Sequence, residues 1–547
     1  MPSASADASG DRWTTRSTPR APRRGRRAAG ALVVGALALS LAGCFGSSSS
    51  NSSLPGADPA SVVPSSALAY AQAVIRPTGK LARDINAASE RLLGIANPGA
   101  QLDGLIDKSA QGGVSYEKSI RPWLGARAGV ALLSVGSGHA EAVVVLDQTD
   151  DAKARAALST HVLFQTNGKP DTTTTGSYRG VSYVDDQTAQ SVTGVVGQFV
   201  VIANNSAAFD ATVDVEKGAS SLASAGNYQD SLGQTLSDSA GTAYAALGRL
   251  VALIPASGVA SSALSLVKGL VGNEILYGSA RFDASGALLD LGSLDAPKSS
   301  SSSPSTPETN PIGSLPADSW VAIGATNVGP SLLKGLASVE KLAGGGTVNL
   351  SQSLAEIQLA TGINIQADLG SITTAGFFVD GASTASPQAA LELGLTDPSR
   401  ASTILGQIYK LATLITSTTR SVSVGSLTAG SPSSFTLSIS GFPDKLVIAA
   451  ASGKIIVALG QSSLSAAVAN GPTLAGSAGF KGSGALLGSG IQPVAYVDLA
   501  RFATLVQGVS PSTPNAVDGY LKRLGSVAIG AGKISGSEHV RVAVRGS

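Results

Sequence analysis

The chain has 547 residues, 43% of them apolar, which is enough for two or three domains with cores of their own. Charged residues make up 14% and aromatic residues 4%. Taking the seven arginines and two aspartates ahead of residue 44 from the 38 basic and 36 acidic residues leaves a net charge of −3. A mildly acidic body without a basic stripe argues against a nucleic-acid partner and against electrostatic docking on anionic lipid, and a single cysteine excludes an internal disulfide.

Residues 1–27 are polar and arginine-rich, and residues 28–42 are an apolar run broken only by Gly30, Gly35 and Ser40. A basic lead, a short apolar stretch and small residues behind it describe a signal peptide, shorter than the roughly 20 residues of a spanning helix. The run closes on Leu41, Ala42, Gly43 and Cys44, which resembles the bacterial lipobox. The resemblance implies a diacylglyceryl group on the Cys44 sulfur and cleavage before it, so residues 1–43 read as a lipoprotein signal peptide. With about 0.8 kcal/mol per buried methylene, two or three acyl chains such as palmitate hold the body firmly to the membrane. The pairs Arg23-Arg24 and Arg26-Arg27 leave general secretion and twin-arginine export both open. Residues 44–60, rich in Ser, Asn and Gly, read as a flexible tether.

The body reads as two tandem units, residues 61–297 and 314–547, joined by a Ser/Pro-rich linker at 298–313. Val63-Pro64 matches Leu315-Pro316, Trp123-Leu124-Gly125 matches Asp368-Leu369-Gly370, and the stretch 141–149 matches 389–396. Residues 199–203 match 454–458, Ala243-Tyr244 matches Ala495-Tyr496, and Tyr277-Gly278-Ser279 matches Ile529-Gly530-Ala531. Across these pairs the separation stays between 245 and 255 residues, as in 369 − 124 = 245, 496 − 244 = 252 and 458 − 203 = 255.

Within each unit, short apolar runs at 129–134, 142–146 and 198–203 predict strands. Leu81, Ile85, Leu92, Leu93 and Ile95 mark one face of a helix over 81–95. Helices are also expected over 150–163 and 398–415, with Thr149 and Thr396 near the N-terminal capping positions. Each unit ends in a hairpin turned by Ala284-Ser285-Gly286 or Ser535-Gly536-Ser537. Strand-turn-strand elements favour antiparallel pairing, so the expected class is α+β: two copies of a mainly antiparallel sheet packed with helices.

The leading Val63-Pro64 and Leu315-Pro316, the segment Ile120-Arg121-Pro122-Trp123-Leu124-Gly125, the Val-rich strand running into a Thr-Asp helix start and the closing glycine hairpin together resemble an uncharacterised actinobacterial family, domain-of-unknown-function family 3352. The second unit departs at Ala367-Asp368-Leu369-Gly370, which has no tryptophan. The resemblance implies an envelope location and this general build. It carries no activity and no functional residue.

The three histidines, His139, His161 and His539, lie outside metal-ligand spacing of one another, and no cofactor or metal is expected. There is no Gly-x-Ser-x-Gly elbow. The runs Gly482-Ser483-Gly484 with Gly488, and Gly530-Ala531-Gly532-Lys533 with Gly536, have the wrong spacing for a phosphate loop and read as turns. Trp123 reads as a core corner in preference to a ligand-stacking ring. The apolar stretches 248–272 and 405–415 read as buried helices, or as the lining of an apolar cavity or patch. The expected function is a non-enzymatic binding or scaffold protein on the outer face of the cell membrane, with no catalytic residues, anchored through Cys44 and meeting an envelope protein. A carrier of a lipid or other apolar ligand, and a serine-nucleophile hydrolase using one of the histidines, are the alternatives.

Overall fold

The computed structural model describes residues 54–109, 115–136, 139–159, 173–187, 189–253, 274–294, 309–342, 350–381, 387–418, 421–442, 444–503 and 522–547. The expectations for Leu41 to Cys44, for His161 and for most of 248–272 and 298–313 lie outside the described residues.

Among the described residues twenty strands form one antiparallel sheet. The N-terminal half contributes β1 (Ala69–Val74), β2 (Leu124–Gly136), β3 (His139–Gln148), β4 (Thr173–Tyr178), β5 (Val181–Asp186), β6 (Ser191–Val196), β7 (Phe199–Ala203), β8 (Gly241–Ala246), β9 (Ile275–Asp283) and β10 (Gly286–Leu294). The C-terminal half contributes β11 (Val321–Thr326), β12 (Ile372–Asp380), β13 (Gln388–Leu395), β14 (Val422–Val424), β15 (Ser433–Ile439), β16 (Leu446–Ala451), β17 (Lys454–Leu459), β18 (Ile491–Asp498), β19 (Ser526–Ile534) and β20 (Ser537–Arg545). Twelve helices accompany them: α1 (Gly79–Leu93), α2 (Pro98–Ser109), α3 (Asp151–Ser159), α4 (Ser206–Glu216), α5 (Gly226–Gly233), α6 (Leu247–Ala252), α7 (Val328–Leu342), α8 (Leu350–Thr361), α9 (Ile365–Gly370), α10 (Ala401–Thr418), α11 (Gly460–Val468) and α12 (Ala478–Leu487). The class is α+β.

From one edge the first half runs β4-β5-β6-β7-β3-β2-β1-β8-β9-β10. β10 then pairs β20, and the second half runs β20-β19-β18-β11-β12-β13-β17-β16-β15-β14 to the far edge. The order is a palindrome: each strand mirrors the one numbered ten higher, and the centre falls between β10 and β20.

Local bonding recurs along the chain in the same way. The side chains of Asp58 and Asn310, 252 residues apart (310 − 58), accept from the amides of Ala60 and Ile312. The amide of Leu222 donates to the Val63 carbonyl at 2.7 Å, and that of Leu474 to the Leu315 carbonyl at 2.7 Å. Arg249 and Arg501 donate to the carbonyls of Ser66 and Asp318 at 2.7 and 2.8 Å.

At β6 and β7, and at β16 and β17, the sheet is covered on both faces, and these strands are accordingly apolar runs. β6 places Val192 and Val196 in one core with Phe209 and Val213 of α4, while Val195 faces Trp123 and Ala154 of α3. In β16, Val447 and Ala449 face Leu464 of α11, and Ile448 and Ala450 face Ile404 and Leu405 of α10.

Several boundaries move from the expected ones. α1 starts at Gly79 and stops at Leu93, because Gly94 takes a left-handed φ of 73° and its amide closes on the Glu90 carbonyl. The caps are the residues next to Thr149 and Thr396: Asp150 accepts from the Lys153 amide and Asp397 from the Ser399 amide, each at 3.0 Å. The amides of the two threonines instead donate to the carbonyls of Trp123 and Ser371, both at 2.8 Å, so Ser371 rather than Asp368 answers Trp123. Both polar spacers end in folded chain. Arg127, with its side chain 6% exposed, donates to the carbonyls of Leu54 and Pro55 and pairs with Asp58, while Asn310 caps a turn that buries Ile312.

Candidate functional site

The junction of the two halves brings together residues from distant sequence. β10 reads GALLDLGSL, and its alternation sends Leu288, Asp290 and Gly292 to one face and Leu289 and Leu291 to the other. β20 sends His539, Arg541 and Ala543 to the same face as Asp290, since Asp290 lies opposite Arg541 and Gly292 opposite His539. A carboxylate at 2% exposure demands partners. Asp290 has two: its Oδ1 lies 2.9 Å from His539 Nδ1 and its Oδ2 accepts from Arg541 Nη2 at 3.0 Å. The other ring nitrogen, Nε2, lies 3.2 Å from the Tyr277 hydroxyl. Arg541 Nη1 donates to the Leu487 carbonyl at 2.6 Å, at the C-terminal end of α12 where the helix dipole favours a cation.

Glycines make the row possible. Tyr277 on β9 stands opposite Gly292, and a Cβ there would overlap its ring. The aromatic side chain therefore lies across β10 and packs edge-on against the His539 ring, centroids 5.7 Å apart. Burial, the largest cause, raises the Tyr277 pKa, so the hydroxyl keeps its proton. α12 seals this face with Leu486 and Leu487. The result is an ionic tie closed to solvent. Both ring nitrogens of His539 are engaged by groups other than serine, which removes this histidine as a base for the hydrolase alternative.

The opposite face of the same strands is exposed and apolar. Leu276, Leu289, Leu291, Val540, Ile529 and Ile323 are each 36–47% exposed. Leu291 lies opposite Val540, Leu289 opposite Val542, Val542 opposite Ile529, and Ala495 links Ile529 to Ile323. The stripe thus crosses from β9 to β11 without leaving one face. α1 occupies its neighbourhood at one end, with Leu81 and Ile85 on Val74 and Phe282.

Other residues singled out in the sequence have structural places. Trp123 is 1% exposed and its indole donates to the Ser119 carbonyl at 2.8 Å. Gly482 and Gly484 are within α12, Gly488 caps it, and Gly530 and Gly532 belong to β19. In α10, Leu405 is buried whereas Leu414 and Ile415 are exposed. His139 begins β3, opposite Gly136. Among the described residues no three metal-ligating side chains cluster, and no helix is long and apolar enough to cross a membrane. Sequence reading missed Tyr277, Asp290 and Arg541. The available signal was a carboxylate alternating with apolar residues in a strand whose other side is also apolar.

A family model described as a protein of unknown function, DUF3352, matches residues 28–377. The chain belongs to this family. The matched region runs from the apolar N-terminal stretch through the whole first half and into β12. No curated protein and no solved structure matches the chain.

Proposed function

We propose that the chain is an extracytoplasmic lipoprotein of the cell envelope, held to the outer face of the membrane by acyl chains on Cys44, whose body binds a partner and performs no chemistry of its own. The body is two tandem copies of one unit fused edge to edge. The palindromic strand order and the bonds that recur 252 residues on support this duplication.

The observation that carries the binding reading is the apolar stripe over β9, β10, β20, β19 and β11. Contiguous exposed apolar surface of this kind marks interaction sites, and here it spans both halves while the ionic tie beneath it holds the strands in register. Expected from this reading is a protein cross-link when a photoreactive residue replaces Val540 in cells, with no protein cross-link from Lys153, an exposed polar position on α3 away from the stripe. A second reading, a lipid or other apolar ligand on the stripe, is favoured by its wholly aliphatic composition and would give a lipid-sized adduct instead. Absence of any adduct at Val540 refutes both. The anchor is tested separately: an alkyne-tagged palmitate should label the wild-type chain and not Cys44→Ser, and an unlabelled wild-type chain that retains its initiator methionine refutes lipidation.

A further inference from the structure

A cleft of about 410 Å³ opens in the first half, away from the stripe, lined by Ser65, Gly226, Asn227, Tyr244, Arg249 and Glu274 among others. Several of its side-chain groups are left without a protein partner of opposite character. Tyr244 on β8 is 6% exposed, with its ring packed edge-on against Tyr228 at 5.6 Å, yet its hydroxyl makes no hydrogen bond among the described residues. Arg249 on α6 donates to the Ser66 carbonyl and forms no ion pair there, and neither does Glu274. α5 begins at the cleft with Gly226 and Asn227, and the residue before it, Ala225, gives no side-chain cap.

The corresponding place 252 residues on shows what satisfying these groups looks like. Ser477 stands where Ala225 does, and its side chain accepts from the Phe480 amide at 3.3 Å to cap α12. Asp318 and Asp498 stand where Ser66 and Ala246 do, and they pair with Arg501 at 3.2 and 3.6 Å. Ser526 stands where Glu274 does, and its hydroxyl donates to the Gly479 carbonyl at 3.3 Å. The second half answers the helix start and the arginine with side chains. The first half gives neither the helix start a side-chain cap nor the arginine an acid, and it adds a carboxylate.

A guanidinium, a phenolic hydroxyl and the free amides of a helix start converge as donors for a carboxylate. Glu274 across the cleft accepts only, and suits an ammonium. The volume is within the range of small-molecule sites. We infer that the first-half cleft binds a small zwitterion, an amino acid or short peptide, with its carboxylate on Arg249, the Tyr244 hydroxyl and the start of α5, and its ammonium on Glu274. This site is independent of the apolar stripe, and either can fail without the other.

The test is isothermal titration of the full mature chain in detergent with L-glutamine, L-phenylalanine and L-alanyl-L-alanine, each beside its N-acetyl and methyl ester forms. At least one zwitterion should bind saturably, and both blocked forms should bind at least about tenfold more weakly, as expected when a charged hydrogen bond is lost. Arg249→Met, Glu274→Gln and Tyr244→Phe should each weaken binding by about tenfold or more. Arg501→Met in the second half should not. Ala246→Asp, which supplies the acid found in the other half, should abolish binding while melting at the wild-type temperature or above. Failure of all three zwitterions to bind overturns the inference. So does binding that is indifferent to blocking either charge or to Arg249→Met.

Discussion

Asp290→Asn removes one charge from the centre of the molecule and almost no volume. Asparagine fills the same space and can still face His539, but Arg541 then keeps its guanidinium at 8% exposure without an anion. Stranding one partner of a buried ion pair costs about 3–5 kcal/mol. How far the melting temperature falls depends on the unit that unfolds. At about 2.1 cal/mol/K per residue, a half of roughly 240 residues has an unfolding entropy of about 0.5 kcal/mol/K, so the same loss lowers its midpoint by about 6–10 °C. If the body of roughly 490 residues melts as one, the entropy doubles and the shift is about 3–5 °C. Differential scanning calorimetry reads both quantities, because the number of transitions identifies the unit and the shift identifies the cost. Adding Arg541→Met removes the stranded cation, and the double variant should recover most of the loss, a non-additivity expected of neighbours in one network. Lys533→Met, which breaks an ion pair exposed on both sides, should cost no more than about 0.5 kcal/mol. The reasoning is refuted if Asp290→Asn melts within 1 °C of wild type, or if Arg541→Met adds its full cost on top.

Gly292→Val places a side chain where the Tyr277 ring lies and should cost about 1–3 kcal/mol, whereas Tyr277→Phe, which keeps the ring and loses one bond, should cost about 1 kcal/mol; denaturant titration separates them. Asp380 gives a pH signature. Burial first, and the Asp318 charge second, raise its pKa from 3.8 to about 6, and its Oδ1 has no hydrogen-bond partner. The unfolded chain therefore loses this proton first as pH rises, so stability falls between pH 3.8 and about 6 and the loss is constant above that window. Asp380→Asn should accordingly stabilise at pH 8 by on the order of 1–3 kcal/mol and be nearly neutral at pH 3.5. Arg127→Ala frees the carbonyls of Leu54 and Pro55 and unpairs Asp58, so amide exchange at Ala60 and Ser61 should rise about tenfold or more while the global midpoint moves little.

What could be read from the sequence was local. The closing hairpins, the runs that became β2, β3 and β7, and the helix over 401–418 all follow from period and turn residues a few positions apart. The tie was not local: Tyr277, Asp290, His539 and Arg541 meet across 249–262 residues of sequence. Binary patterning also misleads there, since GALLDLGSL read alone places Leu289 and Leu291 inside and Asp290 in water, and the structure does the opposite. The reason lies in how two sheets can end. β10 and β20 close their halves, and either alone would be an open edge ready to pair with anything. Pairing them with each other removes both edges, but two apolar strands pair in many registers. A one-residue slip would turn Asp290 to the solvent face and leave Arg541 buried without it; a two-residue slip would part Asp290 from both partners. The buried charges thus reject the registers that the leucines and valines would accept. An apolar stripe can then lie exposed on the other face without deciding how the strands align.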